Sequence, residues 1–384
     1  MKENKIKNWL RSFFYKSNGQ QADWYLIGLV TFLLFFGLAI LSSASSVESY
    51  RVYGDTYWHL RHQLIYGVLP GVLFFVFFAF FDYQKLRKWA FPIFLLAIFL
   101  LVLVFIPGFG STNNTFAKSW IHLFGFSFQP AEVAKLSFIL YLSSWLASRD
   151  SDVIKDAKQG FFPFLFSLGV IGVLMIMQPD WGTLLIIVSI AIAIFFVAGG
   201  SLKHIFWLII CGIGVFSLLV SKSATTLKRL TTFLHPELDP KGMGYQINQA
   251  LLAVGSGGWL GRGFGHSRQK FSYLPEVYGD SVYAIAAEEL GFAFSVLIVL
   301  VFLLLFFRGL KIANNCEDKF GKYVAVGIAT WLITQAFLNI GAIIGIFPLT
   351  GVPLPFISYG GTSLAVALAA CGILVNISRQ TNRY

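Results

Sequence analysis

The sequence predicts an all-α polytopic membrane protein with about ten transmembrane helices. Hydrophobic residues make up 57% of the 384-residue chain, the mean hydropathy is +0.71, and only 12% of the residues are charged. A soluble domain carries about 25% charged residues, so this chain cannot cover a folded core with a water-compatible surface. The composition therefore excludes soluble enzymes, disordered chains and nucleic-acid-binding arrays.

Long apolar runs mark the predicted transmembrane helices, because a helix needs about 20 apolar residues to cross the hydrocarbon core. The first run follows five basic residues, but it is long for a signal peptide and further runs come after it. We therefore expect an uncleaved first helix. The runs are 24–44, 63–81, 89–107, 133–147, 161–178, 184–199, 204–221, 282–307, 323–346 and 362–378, of which the fourth and sixth are short.

The distribution of basic residues predicts the topology. With the N-terminus inside, cytoplasmic segments hold 18 Lys and Arg and outer segments hold 10, of which 7 lie in one 60-residue loop. Cytoplasmic loops carry the excess of basic residues, so both termini are predicted to be cytoplasmic, and the net charge of +11 needs no nucleic-acid partner. The predicted parts are a basic N-terminal segment (1–23), a ten-span domain (24–378) with a large extracytoplasmic loop (222–281), and a cytoplasmic tail (379–384).

The loop at 222–281 is the main departure from a plain helical bundle. Its glycines permit close approach of the backbone to a ligand, and its cations suit an anionic group. It lacks the sequence patterns of nucleotide-binding loops. Its candidate substrate-binding residues are Arg229, Lys241, Arg262, Arg268 and Lys270.

Ionisable residues at membrane depth are costly and therefore mark candidate sites. Glu132 and Lys135 lie three residues apart on the predicted fourth span, so they share a helix face and can pair. The pair is either structural or lines a substrate cavity. Asp180 follows Pro179 in a tight turn, where it either caps the next helix or contacts substrate.

Asp280 lies where the basic loop meets the eighth apolar run. A partly desolvated carboxylate at the mouth of a cavity suits a general base, and a helix-capping role is the alternative. Glu288 and Glu289 are expected to satisfy packing or a helix end. Gln335 and Asn339 are expected to face the proline- and glycine-rich stretch at 351–363, because irregular backbone in a membrane must lie against protein or a wet cavity.

The histidines and cysteines do not predict a metal centre. His59 and His62 are one helical turn apart but lack a nearby carboxylate pair, and Cys211, Cys316 and Cys371 are scattered along the chain. The sequence therefore predicts neither a disulfide framework nor a metal-ligand cluster.

Several spaced motifs resemble those of the SEDS family of bacterial cell-envelope proteins, which includes RodA and FtsW. The resemblance covers nearly all ten runs, and the ends of the first and last runs are more similar to FtsW. The chain departs from the usual family pattern at Val277-Tyr278-Gly279 and Ser281-Val282-Tyr283, on either side of Asp280. The matching stretches are Gln129-Pro130-Ala131-Glu132, Pro179-Asp180-Trp181-Gly182-Thr183, 239–246, 255–258, Tyr273-Leu274-Pro275-Glu276 with Asp280, Glu288-Glu289-Leu290-Gly291 and 353–363.

The resemblance implies a peptidoglycan glycosyltransferase that polymerises lipid II at the outer face of the bacterial cytoplasmic membrane, with a role in cell division. It implies Asp280 as the essential aspartate and Glu132 with Lys135 as the intramembrane pair of the family. The implied partners are lipid II, a glycan linked to polyprenyl pyrophosphate, a class B penicillin-binding protein, and divisome or elongasome membrane proteins.

The pattern requires no cofactor, and a divalent cation (Mg²⁺ or Mn²⁺) is the one candidate, because it would neutralise the pyrophosphate. Two other classes of function stay open at this point. One is a flippase for lipid-linked peptidoglycan precursors, which needs a cavity and cations but no carboxylate at the outer mouth. The other is a scaffold for a division or elongation complex.

Overall fold

The structure, a computed structural model, describes residues 21–108, 110–111, 119–123, 126–222 and 224–381. Most of the predicted N-terminal segment and the last three residues of the predicted tail lie outside these ranges. Within them the chain is a bundle of helices with one small sheet. The predicted all-α architecture is therefore confirmed.

Fourteen helices are numbered here in chain order within the described residues. Two of them begin or continue through π-helical turns, at Leu64–Val68 and Ala157–Phe161. The helices are α1 (Trp24–Ala44), α2 (Ser46–Tyr53), α3 (Trp58–Phe80), α4 (Tyr83–Leu103), α5 (Pro130–Ala147), α6 (Ser151–Lys155), α7 (Ala157–Met177), α8 (Trp181–Val197), α9 (Leu202–Lys222), α10 (Ala224–Leu234), α11 (Met243–Ser256), α12 (Val282–Asn315), α13 (Lys319–Ile343) and α14 (Gly361–Gln380).

Each of the ten predicted apolar runs falls on one of these helices. In the part of the chain that the structure describes, seven are long and apolar enough to cross a membrane, namely α1, α3, α4, α7, α12, α13 and α14. The helix α8 and part of α9 are apolar but shorter, and α5 carries the two charges of Glu132 and Lys135. The count of ten crossing helices stays a prediction.

The core of the bundle lies around α13 and α14. The apolar stretches of these helices are 72% and 83% buried, whereas the corresponding stretch of α3 is only 22% buried and presents most of its side chains to the membrane. Close packing of α3 on α14 depends on glycine, because a Cβ on Gly372 would meet the backbone of Phe75. Small residues allow such close helix contacts in membranes.

The region between α4 and α5 contains a sheet that the sequence analysis missed. Its strands are β1 (Gly110–Ser111), β2 (Trp120–Leu123) and β3 (Phe126–Phe128). They are antiparallel in the order β1-β2-β3, with Ile121 paired to both Gly110 and Phe128. Strands this short are weak sequence signals, since they span at most two side-chain alternations.

The segment at 222–281 has more regular structure than the predicted loop. It contains α10, a 3₁₀ turn at Pro236–Leu238 and α11, and its longest part without helix runs from 257 to 281. These helices place the polar residues of the segment at defined positions against the start of α12.

The helix α12 is broken near its start, at Gly291, where φ is 78° and ψ is −175°. This backbone region is accessible essentially to glycine alone. The amide groups of Phe292 and Ala293, freed by the break, donate to the carbonyl oxygens of Gly258 and Trp259 at 2.8 and 3.2 Å. The turn segment after α11 thus replaces the hydrogen bonds that the helix loses.

Candidate functional site

Asp280 lies at the end of a tight turn that begins at Glu276. The amides of Gly279 and Ser281 both donate to the carbonyl oxygen of Glu276, at 3.0 and 3.2 Å. Glu276 itself has a positive φ of 50°. The turn holds the Asp280 side chain just before the first residue of α12.

The Asp280 carboxylate has only weak polar contacts with its neighbours. Gln246 on α11 donates from Nε2 to Asp280 Oδ1 at 3.4 Å and to the Ser281 hydroxyl at 3.0 Å. The Ser281 hydroxyl is 3.5 Å from the same Asp280 oxygen. Burial by the surrounding protein and, to a smaller extent, the negative charge of Glu276 together raise the pKa of Asp280 to about 7. Near neutral pH this carboxylate can therefore both accept and release a proton.

Two amides on α13 connect Asp280 to the interior of the bundle. Asn339 Nδ2 donates to the backbone oxygens of Asp280 and Val352, both at 2.8 Å. One turn earlier, Gln335 Nε2 donates to the backbone oxygen of Pro353 at 2.9 Å. The prediction that these two amides face the stretch at 351–363 is confirmed.

The other end of the Gln335 amide contacts the intramembrane charge pair. Lys135 Nζ donates to Gln335 Oε1 at 2.6 Å and to Glu132 Oε1 at 2.9 Å. It also lies 5.0 Å from the centre of the Trp331 ring. The predicted Glu132–Lys135 pairing is confirmed, and it is joined to the Asp280 turn through α13.

The Glu132–Lys135 pair is almost completely buried. Lys135 is 0% exposed and Glu132 is 1% exposed, so neither lines an open cavity. Glu132 Oε2 is buried without a hydrogen-bond partner. A buried charge pair stabilises a fold only when its remaining polar atoms are satisfied. The contacts fit a structural pair with one unused acceptor, and a role in substrate binding stays a prediction.

Asp180 caps α8, which is one of its two predicted roles. Its Oδ1 accepts from the Thr183 amide at 3.0 Å. Burial raises the pKa of Asp180, and its charge interacts with those of Lys135 and Glu132. Arg229 on α10, a half-buried side chain whose Nε has no hydrogen-bond partner, interacts electrostatically with Asp180. The structure therefore brings Arg229 to the group formed by Asp180 and the Glu132–Lys135 pair.

Glu288 and Glu289 hold the turn segment 262–270 against the first part of α12. Glu288 accepts from the Ser267 hydroxyl at 2.5 Å and from the Arg268 amide at 3.0 Å. Lys270 Nζ lies 3.1 Å from Glu289 Oε1. The expectation that these glutamates satisfy packing is confirmed, and the pair with its partners is called the glutamate clamp below.

The glutamate clamp accounts for part of the predicted cation set. Lys270 is 5% exposed, and its ammonium group donates to Ser43, Gly265 and Glu289. Arg262 Nε donates to the Ser256 carbonyl at 3.2 Å, and its guanidinium is 3.8 Å from Glu288. These two cations contact protein groups.

Besides Arg229, Arg268 and Lys241 are the predicted cations of the segment that stay available. Both side chains are exposed. The backbone of Arg268 is fixed by the glutamate clamp, so its side chain projects from an anchored turn. Their predicted contact with substrate is compatible with these positions and stays a prediction.

Aromatic packing stabilises the backbone just before Asp280. The ring of Tyr278 lies 4.3 Å from that of His59, and its backbone oxygen accepts from the Tyr359 amide at 2.8 Å. The Tyr359 hydroxyl in turn contacts His62 Nδ1 at 2.8 Å. Tyr278 lies in the stretch that departs from the usual family pattern, and in this chain it packs against a histidine supplied by α3.

Gln246 is the site residue that the sequence analysis passed over. It belongs to the motif at 239–246, but no local pattern indicates that α11 folds back so that this amide reaches Asp280. Among the described residues, no group of three or more His, Cys, Asp or Glu side chains is arranged to hold a metal ion.

Comparison with known proteins places the whole chain in one family. The sequence profile for FtsW, RodA and SpoVE, described as "Cell cycle protein", matches residues 23–383. The chain is 38% identical over 362 residues to the probable peptidoglycan glycosyltransferase FtsW of Geobacter sp. (strain M18), covering 93% of this chain and 97% of that protein. It is 40% identical over 359 residues to the stage V sporulation protein E of Bacillus subtilis (strain 168), covering 94% and 97%.

A solved structure has the same fold. It comes from work on the structural coordination of polymerization and crosslinking by a peptidoglycan synthase complex. The matching chain has a TM-score of 0.76 and 26% sequence identity, and the match covers 94% of this chain and 99% of that one. The architecture described above is therefore that of a known multi-pass membrane fold.

Proposed function

This chain belongs to the FtsW/RodA/SpoVE family, and from that premise we propose that it is a peptidoglycan glycosyltransferase that polymerises lipid II. The relative from Geobacter carries this activity in its name. The observation that carries the proposal here is Asp280, a partly buried carboxylate with a pKa of about 7 at the junction of the turn segment and α12. A group whose pKa lies near the working pH is suited to general-base catalysis.

Asp280 acts as the base in the proposed reaction. Its carboxylate takes the proton from the 4-hydroxyl of the incoming lipid II sugar. The oxygen then forms a bond to the anomeric carbon of the growing glycan, and the bond from that carbon to the polyprenyl pyrophosphate breaks. The electron pair leaves with the pyrophosphate. Gln246, which donates to Asp280 at 3.4 Å, keeps the carboxylate in place between proton transfers.

The pyrophosphate leaving group concentrates negative charge, so nearby cations lower the barrier. Arg229, with its unpartnered Nε beside Asp180, and the exposed Arg268 and Lys241 are the cations that this proposal uses. Lys135 and Lys270 support the site through the buried contacts described above. The proposed reaction does not depend on a divalent cation; one that bound together with the pyrophosphate would neutralise part of its charge.

The proposed setting is the bacterial cytoplasmic membrane, with both termini on the cytoplasmic side and Asp280 at the outer face. The excess of basic residues in short loops on one side supports this orientation. The proposed partner is a class B penicillin-binding protein that crosslinks the new strands. The structural match to a chain of a synthase complex that coordinates polymerization with crosslinking supports this partner. Similarity to FtsW favours a role in cell division.

The test is polymerisation of labelled lipid II by the purified full chain in detergent. Wild type and Asp280→Asn are compared with and without the cognate transpeptidase. The control is Glu237→Gln, which removes one negative charge from an exposed position in the same segment. We expect glycan ladders from wild type and Glu237→Gln and none from Asp280→Asn.

Ladders from Asp280→Asn at the wild-type rate would contradict the assignment of the base while leaving the polymerase proposal intact. An absence of ladders from all samples, including those with the partner, would contradict the polymerase proposal. That result would favour the flippase or the scaffold, neither of which forms glycan strands.

A further inference from the structure

A second candidate binding site lies at the opposite end of the bundle from Asp280. A cavity of about 640 Å³ opens between the start of α4 and the end of α5, within the range of volumes that small-molecule sites occupy. The helix α5 carries Glu132 near its first residue and Trp145 near its last, so about 20 Å of helix separates the cavity from the buried charge pair. The cavity therefore has no part in the reaction at Asp280.

The lining combines cations with aromatic rings. Arg87 and Lys88 lie on the exposed rim, and Phe91, Tyr141 and Trp145 form the rest of the wall. In the part of the chain that the structure describes, neither cation on the rim pairs with a carboxylate. Basic residues at the end of a transmembrane bundle are attracted to anionic lipid headgroups.

A third cation, Arg149, stacks on Trp145, one of the residues that line the cavity. The guanidinium of Arg149 is 4.3 Å from the centre of the Trp145 ring, and it interacts electrostatically with Tyr141. Its Nε is buried and has no hydrogen-bond partner. This arrangement leaves a guanidinium donor fixed by stacking and unused by the protein, which is how a phosphate oxygen is usually bound.

An apolar stripe runs from the cavity along the outer face of α4. Its side chains are Phe91, Leu95, Phe99 and Val102, which are 55%, 48%, 59% and 43% exposed and recur every three or four residues. They share one helix face and extend over about 16 Å. That length is close to half of the roughly 30 Å hydrocarbon core, which is the depth of one leaflet.

We propose that this cavity binds the phosphate headgroup of an anionic glycerophospholipid, with one acyl chain lying along the α4 stripe. The cations on the rim and Arg149 contact the phosphate, and the aromatic rings lie at the level of the headgroups, where such rings are enriched. A lipid held here would tie α4 to α5 at the end of the bundle that carries no catalytic residue.

The experiment is native mass spectrometry of the full chain, delipidated in detergent and then titrated with phosphatidylglycerol or with phosphatidylcholine. The variant is Arg87→Gln/Lys88→Gln. The control, Lys203→Gln/Lys311→Gln, removes two exposed positive charges elsewhere at the ends of α9 and α12. We expect the Arg87→Gln/Lys88→Gln variant to bind the first phosphatidylglycerol roughly thirty-fold more weakly than wild type, given the usual contribution of one basic residue near an anionic lipid. The control should bind it as wild type does.

Three outcomes would overturn the proposal. Phosphatidylcholine bound as tightly as phosphatidylglycerol would show that only apolar contact holds the lipid. Equal loss in the control would show that the effect is general to positive charge. Displacement of phosphatidylglycerol by millimolar inorganic phosphate or by a polyprenyl pyrophosphate would assign the cavity to a free anion or to the substrate. The unfolding temperature of each variant, read from exposure of the buried Cys316 and Cys371 thiols in a Cys211→Ser background, checks that the fold is intact.

Discussion

Asp280 lies just before α12 and the glutamate clamp lies on its first segment; both are carboxylate sites, yet their surroundings are opposite. Glu289 is fully buried and paired with Lys270 at 3.1 Å, and Glu288 accepts from amides and a hydroxyl. Asp280 is partly buried, and among the described residues no cation lies within ion-pair distance of it. A buried carboxylate that is paired with a cation and accepts several hydrogen bonds fixes structure. One that is desolvated without a counter-charge has a raised pKa and can exchange protons.

The largest expected effect is loss of activity in Asp280→Asn, which keeps the shape of the side chain and removes the base. We expect polymerisation to fall by about 10²- to 10⁴-fold, the usual contribution of a general base, in the lipid II assay described above. Since the folded-state pKa is raised, ionising Asp280 costs stability as pH rises towards 7. At pH 8 the unfolding temperature of the variant should therefore be at least as high as that of wild type.

The next largest effect is expected at the glutamate clamp, in Lys270→Met. This change leaves the carboxylate of Glu289 buried without its counter-ion, which typically costs about 3–5 kcal/mol. We expect a clear fall in unfolding temperature in detergent, measured by thiol exposure in a Cys211→Ser background, since Cys211 is the exposed cysteine. Lys241→Met, an exposed position in the same segment, is the control and should leave the temperature unchanged. Equal stability of both variants would show that Lys270 is not structural.

Gly291→Ala tests the backbone break against which the turn segment after α11 packs. Alanine at φ 78° and ψ −175° is strained by about 1–3 kcal/mol, and its Cβ would meet the backbone nitrogen of Gly261. We expect lower stability and reduced polymerisation together, because the turn segment is displaced. The control, Gly255→Ala, lies within α11 where a Cβ meets no atom within 4 Å, and it should be neutral or slightly stabilising. Normal activity in Gly291→Ala would show that the backbone break is not required for polymerisation.

The smallest effect is expected in Glu276→Gln, as a shift of the pH–rate profile. The base form of Asp280 predominates above its pKa of about 7, so the rate should rise with pH through neutrality. Removing the negative charge of Glu276 lowers the pKa of Asp280 and should move this limb of the pH–rate profile to lower pH. Glu237→Gln should not move it. A limb that stays in place in Glu276→Gln would mean that another group titrates.

Contacts between residues that are close in the sequence could be predicted, because they depend only on local helix geometry. Glu132 and Lys135 are three residues apart on one helix, and the cap of α8 joins Asp180 to Thr183. Contacts of this kind follow from helix geometry alone. The apolar runs predicted the helices for the same reason, although α5 and α8 each begin three residues before the predicted runs.

Other parts could not be predicted, because they depend on how distant segments meet. Lys270 was predicted to bind substrate together with the other cations of its segment. The carboxylate that it pairs with lies 19 positions later, and its other partner, Ser43, lies 227 positions earlier. Nothing in the composition of the segment distinguishes a cation with a buried partner from one that is free.

By itself, the sequence determined the membrane class, the helical spans, the local charge pair and the position of Asp280 at the start of α12. Long apolar runs and short spacings suffice for these features. Only the tertiary structure decided which carboxylates are neutralised and which amides, Gln246 and Asn339, hold the Asp280 turn. Desolvation and ion pairing depend on groups from several helices at once, and the proton affinity of Asp280 follows from that arrangement.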